Sequence, residues 1–177
     1  MAPALVWVDL EMTGLDPERH AILQAALALT DLAAEEEPEV HDFVIAQPDS
    51  ALAEMDDFVR GMHTRSGLLD RVKREGRPAA EVEDRLLELV AARCGPQEGH
   101  LAGNSVWVHR TFLRRHLPRF ERHLHYRQVD VSSFKLMARA WYGDRAEFKK
   151  AEAHLAAGDI GESIEELRFY RSLFREP

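Results

Sequence analysis

The chain has 177 residues, 45% of them apolar and 31% charged, a formal charge of 23 − 31 = −8, and a single cysteine, Cys94. That length suits one domain spanning residues 1–177, able to bury roughly 70% of its unfolded surface without disulfide or structural metal. The figures exclude disordered, collagen-like and coiled-coil chains, a disulfide framework and a cysteine-rich zinc site. They also argue against a protein that grips long nucleic acid mainly by neutralising many phosphates, although an acidic balance suits the loading of divalent cations.

The elements follow in chain order. Leu5-Val6-Trp7-Val8 is a continuous apolar run, as in a strand buried on both faces; it passes through Asp9-Leu10-Glu11 and stops at Thr13-Gly14. Residues 22–30 and 40–45 are the next strands, joined by a polar hairpin connection, 33–38, whose three consecutive glutamates read as a solvated loop. From residue 51 the period changes, and Leu52, Met55, Phe58, Val59 and Met62 mark one face of a helix. Gly76 and Pro78 precede a second helix with a Val82, Leu86, Leu89, Val90 stripe, ended by Gly95-Pro96. Residues 101–106 read as a strand running into a Gly103-Asn104-Ser105 loop. A third helix turns Phe112, Leu113, Leu117 and Phe120 inward, with Pro118 kinking or splitting it. Residues 128–131 make a fifth strand and 132–141 a helix capped by Ser132. Ile160, Ile164, Leu167, Tyr170 and Phe174 stripe the last helix. The order β-β-β-α-α-β-α-β-α-α predicts an α/β fold: a mixed five-stranded sheet, its first three strands antiparallel, flanked by helices.

No stretch approaches ~18 consecutive apolar residues, and the first apolar run ends at Asp9, too short for a signal peptide. A soluble, cytoplasmic protein with no membrane partner is expected, and the lone thiol fits a reducing compartment.

Three groups of residues could carry chemistry. Asp9 and Glu11, two apart on a strand, project to one side with Cα atoms roughly 6.5 Å apart. Two such carboxylates cost desolvation energy unless a cation lies between them, so either a divalent ion binds there or the strand has ended and both acids are solvated. His154 and Asp159 converge only if His154 lies in a loop ahead of the helix that carries Asp159, where an imidazole beside a carboxylate makes a base and ligand pair. The stretch 109–127 holds six arginines, four histidines and one acid, Glu121. It is either a solvated face of counter-charges for the Glu-rich helices or a phosphate or subunit contact.

These signals combine in a resemblance. The opening run 5–15, Leu-Val-Trp-Val-Asp-Leu-Glu-Met-Thr-Gly-Leu, is similar to the first motif of the oligoribonucleases, 3′→5′ exonucleases of the DEDD type with a histidine in the last motif. The likeness continues through Met55-Asp56-Asp57-Phe58, His63-Thr64-Arg65-Ser66-Gly67-Leu68 and Gly103-Asn104-Ser105. It returns at His125-Tyr126-Arg127, at Asp130-Val131-Ser132 and from His154 to Ile164, so nearly the whole chain takes part. The resemblance implies a ribonuclease H-like fold and hydrolysis of very short RNA, chiefly dinucleotides, to 5′-mononucleotides. It implies that Asp9, Glu11 and Asp159 hold two Mg²⁺ or Mn²⁺ ions, one activating the nucleophile and one stabilising the leaving 3′ oxygen, with His154 as general base. Among substrate contacts it implies Met12, Leu15 as a wedge against a base, and Phe58 as a stacking ring where the family usually has tryptophan. Ser105 and Ser132, with Tyr126 and Arg127 from a second subunit of a homodimer, would cap the 5′ phosphate.

The match breaks at one place that matters. Where the family carries its second-motif aspartate, this chain has His109, so three carboxylates rather than four face two divalent ions, and a protonated His109 would deepen the deficit. Imidazole is a poor partner for Mg²⁺ though acceptable for Mn²⁺ or Zn²⁺. Gln24, where the family usually has glutamate, and Gly158, in place of an acid, remove further negative charge. The outcomes open at this point are an enzyme with weaker metal affinity or a Mn²⁺ preference, a protein that binds short nucleotides or a partner without cleaving, and a changed substrate or metal.

Overall fold

The computed structural model describes residues 2–149 and 156–175. The five strands are β1 (Ala4–Met12), β2 (Ile22–Thr30), β3 (His41–Val44), β4 (Gly99–Gly103) and β5 (Gln128–Asp130). They form one mixed sheet in the order β3-β2-β1-β4-β5, with β1, β2 and β3 antiparallel and β1, β4 and β5 parallel. This is the mixed, three-antiparallel-first sheet that the alternation of elements predicts.

Strand β1 lies at the centre, which explains its apolar character on both faces. Val6, Val8 and Leu10 pack into a core with α4 (Ala79–Arg93), α5 (Val106–His116) and α6 (Pro118–His123). Leu5 and Trp7, of opposite parity, pack with α7 (Val131–Tyr142) and α8 (Ala156–Arg175). Period-two alternation then sends Asp9 and Glu11 to the α8 side. Strand β4 pairs with β1 only as far as Trp7, so the last five residues of β1 run beyond its neighbour and open that edge. In sheets with parallel strands, sites form beyond such carboxyl ends.

Four local expectations are corrected. The stripe 51–62 is two helices, α1 (Asp49–Ala53) and α2 (Asp57–Arg65), because the Asp56 carboxylate accepts from Val59 N at 2.8 Å and starts a new helix. Phe58 is therefore 75% exposed, while Leu52 and Met55 fill a small core with Leu23, Val44, Leu68 and Val72. Helix α3 (Leu68–Glu75) follows Gly67, whose φ of 75° is open to glycine. Helix α7 is capped by the Asp130 side chain, which accepts from Ser132 N, rather than by Ser132. Strand β4 occupies 99–103, so 104–106 belongs to the turn and helix that follow.

The predicted break at Pro118 is real, dividing α5 from α6 with Pro118 in the first turn. The glutamates of the 33–38 loop are exposed, but they also clamp helices: Glu36 pairs with Arg93 at 2.8 Å and Glu37 with Arg168 at 2.7 Å. The basic stretch 109–127 is largely a counter-charge face, with Arg110 and Arg114 on Glu121, Arg115 on Glu18, and Arg119 on Glu83 and Asp84.

Candidate active site

Asp9, Glu11 and Asp159 each bring a carboxylate oxygen within 4.8 Å of the others, the one such grouping of His, Cys, Asp and Glu among the described residues. Asp9 and Glu11 come from consecutive same-face positions of β1, and Asp159 from the first turn of α8, which packs across that face. Burial, then the nearby Asp159 charge, push the Glu11 carboxyl up to about 7. A divalent cation offsets both the burial and the repulsion, and three convergent oxygens are the hard donor set that Mg²⁺ and Mn²⁺ take. The residues present fit one such ion.

Two buried histidines bracket this cluster in matching fashion. His63 of α2 donates from Nε2 to the Met12 carbonyl at 2.9 Å, leaving Nδ1 3.8 Å from Glu11 Oε2. His109 of α5 donates from Nδ1 to the Val8 carbonyl at 3.3 Å, leaving Nε2 3.8 Å from Asp9 Oδ1. Each imidazole thus spends one nitrogen on the overhanging end of β1 and turns the other toward a carboxylate. Burial lowers the His109 pKa, so the ring is neutral and adds no charge to the deficit; the protonated form considered from sequence is disfavoured by desolvation. Gln24, paired across from Glu11 on β2, gives its amide to Asp42 at 2.6 Å. His63 had no role assigned from sequence, because a lone histidine in a helical stretch carries no sign of what its ring touches.

Glu11 opens into a groove of about 670 Å³, whose walls include Met12, Leu15, Phe58 and Met62. Leu15 and Phe58, at 74% and 75% exposure, are an apolar pair held out to solvent. Leu15 is presented by a tight loop in which Thr13 N bonds Ala21 O and Ala21 N bonds Thr13 Oγ1, both at 2.9 Å. Gly14 permits that fold-back, since a Cβ there would lie 2.5 Å from the His20 ring. An Arg19–Glu54 ion pair at 3.0 Å ties the two rims.

Ser105 and Ser132 are brought together just past the ends of β4 and β5. Ser105 N donates to Asp130 Oδ1 and Ser132 Oγ, and Ser132 Oγ donates to Asn104 Oδ1 at 3.1 Å. Asn104 Nδ2 bonds Ser163 Oγ at 2.9 Å and Glu166 at 3.1 Å, and Ser163 Oγ donates to the Asp159 carbonyl. Asn104 and Glu166 are the hub that sequence reasoning missed, though Gly103-Asn104-Ser105 was marked as a turn. Tyr126 and Arg127 are not among the residues lining the groove. Tyr126 is 68% exposed, stacked on His125 and covered by the Arg127 guanidinium at 5.3 Å. His154 lies outside the described residues; α8 starts at Ala156, so Asp159 is in its first turn.

The mixed sheet carries a carboxylate centre at the free end of its central strand, and the model of the RNase T exonuclease family matches residues 6–167, which include that centre. The oligoribonuclease of Corynebacterium glutamicum is 46% identical over 174 residues, 96% of this chain and 79% of that one. The mitochondrial oligoribonuclease of Mus musculus is 44% identical over 174 residues, 97% of this chain and 73% of its own. The chain belongs to the oligoribonuclease family. In fold it is also similar to exonuclease I of E. coli, solved with zinc ion and single-stranded DNA, at a TM-score of 0.72 and 16% identity. That likeness covers 98% of this chain and 41% of the longer one, so this chain spans less than half of that protein.

Proposed function

We propose that this chain, acting as one exonuclease-like domain over residues 1–177, is a 3′→5′ exoribonuclease that hydrolyses very short RNAs, dinucleotides included, to 5′-mononucleotides. The observation that carries the reading is the Asp9, Glu11, Asp159 cluster opening into the Leu15–Phe58 groove. Its three acids are the residues that would hold a divalent cation, Mg²⁺ or Mn²⁺. Bound there, such a cation supplies Lewis acidity toward the phosphodiester and a nucleophile at neutral pH.

The chain's own residues do the rest. Phe58 offers an exposed ring face for a base, and Leu15, the wedge against a base, lines the same groove with Met12. The Ser105 hydroxyl, on a turn whose amide is held by Asp130, is a donor for a terminal 5′ phosphate, and Ser132 becomes a second one by turning its hydroxyl hydrogen away from Asn104. A cap at that end is what restricts the length of RNA that fits. His154 takes the proton of the attacking water. Tyr126 and Arg127 face outward, which suits a homodimer in which they close the cap of the partner's site. A cytoplasmic location completes the reading, in keeping with the one free thiol, Cys94, buried and raised in pKa by desolvation.

Turnover of a 5′-labelled diribonucleotide, in Mg²⁺ and then Mn²⁺, tests the reading against Asp9→Ala and His154→Ala. Mononucleotide release that both substitutions abolish is the expected result. A labelled dinucleotide that binds but is not cut in either metal would replace it with a nucleotide-binding protein.

A further inference from the structure

We propose that His109 and Asp9 together form a second, mixed nitrogen–oxygen cation position beside the three-carboxylate one, so that the chain takes one Mg²⁺ but two Mn²⁺. The inference deepens the exonuclease reading and rests on it for its purpose, though not for its geometry. The ring is more than nine-tenths buried, at 8% exposure, and its Nδ1 carries the hydrogen donated to the Val8 carbonyl. A carbonyl can only accept, so the lone pair of the neutral ring is on Nε2. That nitrogen has no hydrogen-bond partner among the described residues and faces Asp9 Oδ1 at 3.8 Å. A metal-ligating imidazole with its other nitrogen bonded to a backbone carbonyl is the arrangement that orients such ligands.

The separation suits a shared ion. Two neighbouring donors at about 2.1 Å from an octahedral cation are about 3.0 Å apart, so Nε2 and Oδ1, at 3.8 Å, need to close by about 0.8 Å. His109 stands outside the group made by Asp9, Glu11 and Asp159, so Asp9 is the carboxylate common to both positions. The two positions are unequal in chemistry. The first is all oxygen and takes Mg²⁺ or Mn²⁺; the second includes imidazole, which suits Mn²⁺ and Zn²⁺ and discriminates against Mg²⁺. His63 mirrors His109 on the Glu11 side, but its free nitrogen points at the carboxylate already engaged in the first position.

The test is metal counting on the full chain without RNA, by calorimetry and by the electron paramagnetic resonance of unbound Mn²⁺. Two Mn²⁺ and one Mg²⁺ per chain are expected. His109→Ala should weaken the second Mn²⁺ at least tenfold and leave the first within twofold, and His109→Asp should admit a second Mg²⁺. Equal counts of the two metals in the unsubstituted chain overturn the proposal. So does loss of the second Mn²⁺ from His63→Ala but not from His109→Ala. Unfolding midpoints of each variant show that the counts come from folded protein. An inactive chain that still takes two Mn²⁺ sinks only the exonuclease reading, and an active chain with equal counts sinks only this one.

Discussion

Glu11 and Glu166 are both withdrawn from solvent near α8, and their surroundings are opposite. Glu166, fully buried, accepts from Tyr170 Oη at 2.8 Å and from Asn104 Nδ2 at 3.1 Å, with Lys135 Nζ at 3.4 Å. Burial and that hydrogen bond hold the Tyr170 hydroxyl well above its usual pKa, so it stays a donor. Glu11 instead faces a second carboxylate, and its own pKa is raised. A buried acid surrounded by donors fastens elements together, whereas one surrounded by acids stores repulsion that an incoming cation relieves. Glu166 fastens α8 to the Asn104–Ser132 turn and so sets where Asp159 stands relative to Ser105 and Ser132, whereas Glu11 has a neighbouring carboxylate set against its charge.

The largest expected effect separates the two roles. Glu11→Gln should lower turnover by about a thousandfold or more while raising the stability of the metal-free protein, because it removes charge from a repulsive cluster. Steady-state kinetics and thermal unfolding in chelator read both; a metal-free Tm that falls would erase the contrast. Glu166→Ala should do the reverse in stability, costing about 3 kcal/mol, or roughly 6–12 °C in Tm, because it leaves Lys135, Tyr170 and Asn104 without their buried partner. Glu166→Gln, which keeps the hydrogen bonds but not the charge, should recover part of that loss.

Next comes pH. The Glu11 carboxyl titrates near 7 in the folded chain and near 4.5 unfolded, so between those values the folded state holds a proton that the unfolded state has lost. Its contribution is full below pH 4.5 and disappears as pH rises through 7, worth at most about 3 kcal/mol. Urea midpoints in chelator should therefore fall between pH 5 and 8 more for the unsubstituted chain than for Glu11→Gln, and Mn²⁺ should cancel the difference. The smallest effect is at the groove. Phe58→Ala should raise KM about tenfold with kcat little changed, as expected for loss of one base–aromatic stack. Phe58→Trp should lower KM, and an unchanged KM in both variants would remove Phe58 from the substrate path.

How much could be read beforehand differs element by element. Strand β2 falls on residues 22–30 as the apolar run predicts, since a strand buried on both faces needs no partner to announce itself. The parity of Asp9 and Glu11 on β1 is equally local. The break at Met55–Asp56 was hidden because Leu52, Met55, Val59 and Met62 keep helical spacing across it, and only the Asp56 cap shows where one helix stops. Ser132 was a reasonable cap by residue type, but Asp130 two residues earlier reaches the same amide. The neutrality of His109 and the Asn104 and Lys135 partners of Glu166 were illegible, since Val8 lies 101 residues from His109 and those two lie 62 and 31 residues from Glu166.

The sequence by itself determined the five strands in their order, the two carboxylates on one face of β1, and the departure at His109. Those follow from periodicity, residue type and motif order along the chain. The resemblance already grouped Asp159 with those acids; only the tertiary structure decided that the three carboxylates converge within 4.8 Å, that Leu15 and Phe58 line one groove, and that two imidazoles turn a nitrogen each toward the acids. The reason is the overhang of β1 beyond β4. It leaves backbone carbonyls and carboxylates at a free strand end, and α2, α5 and α8 supply the side chains that meet them there.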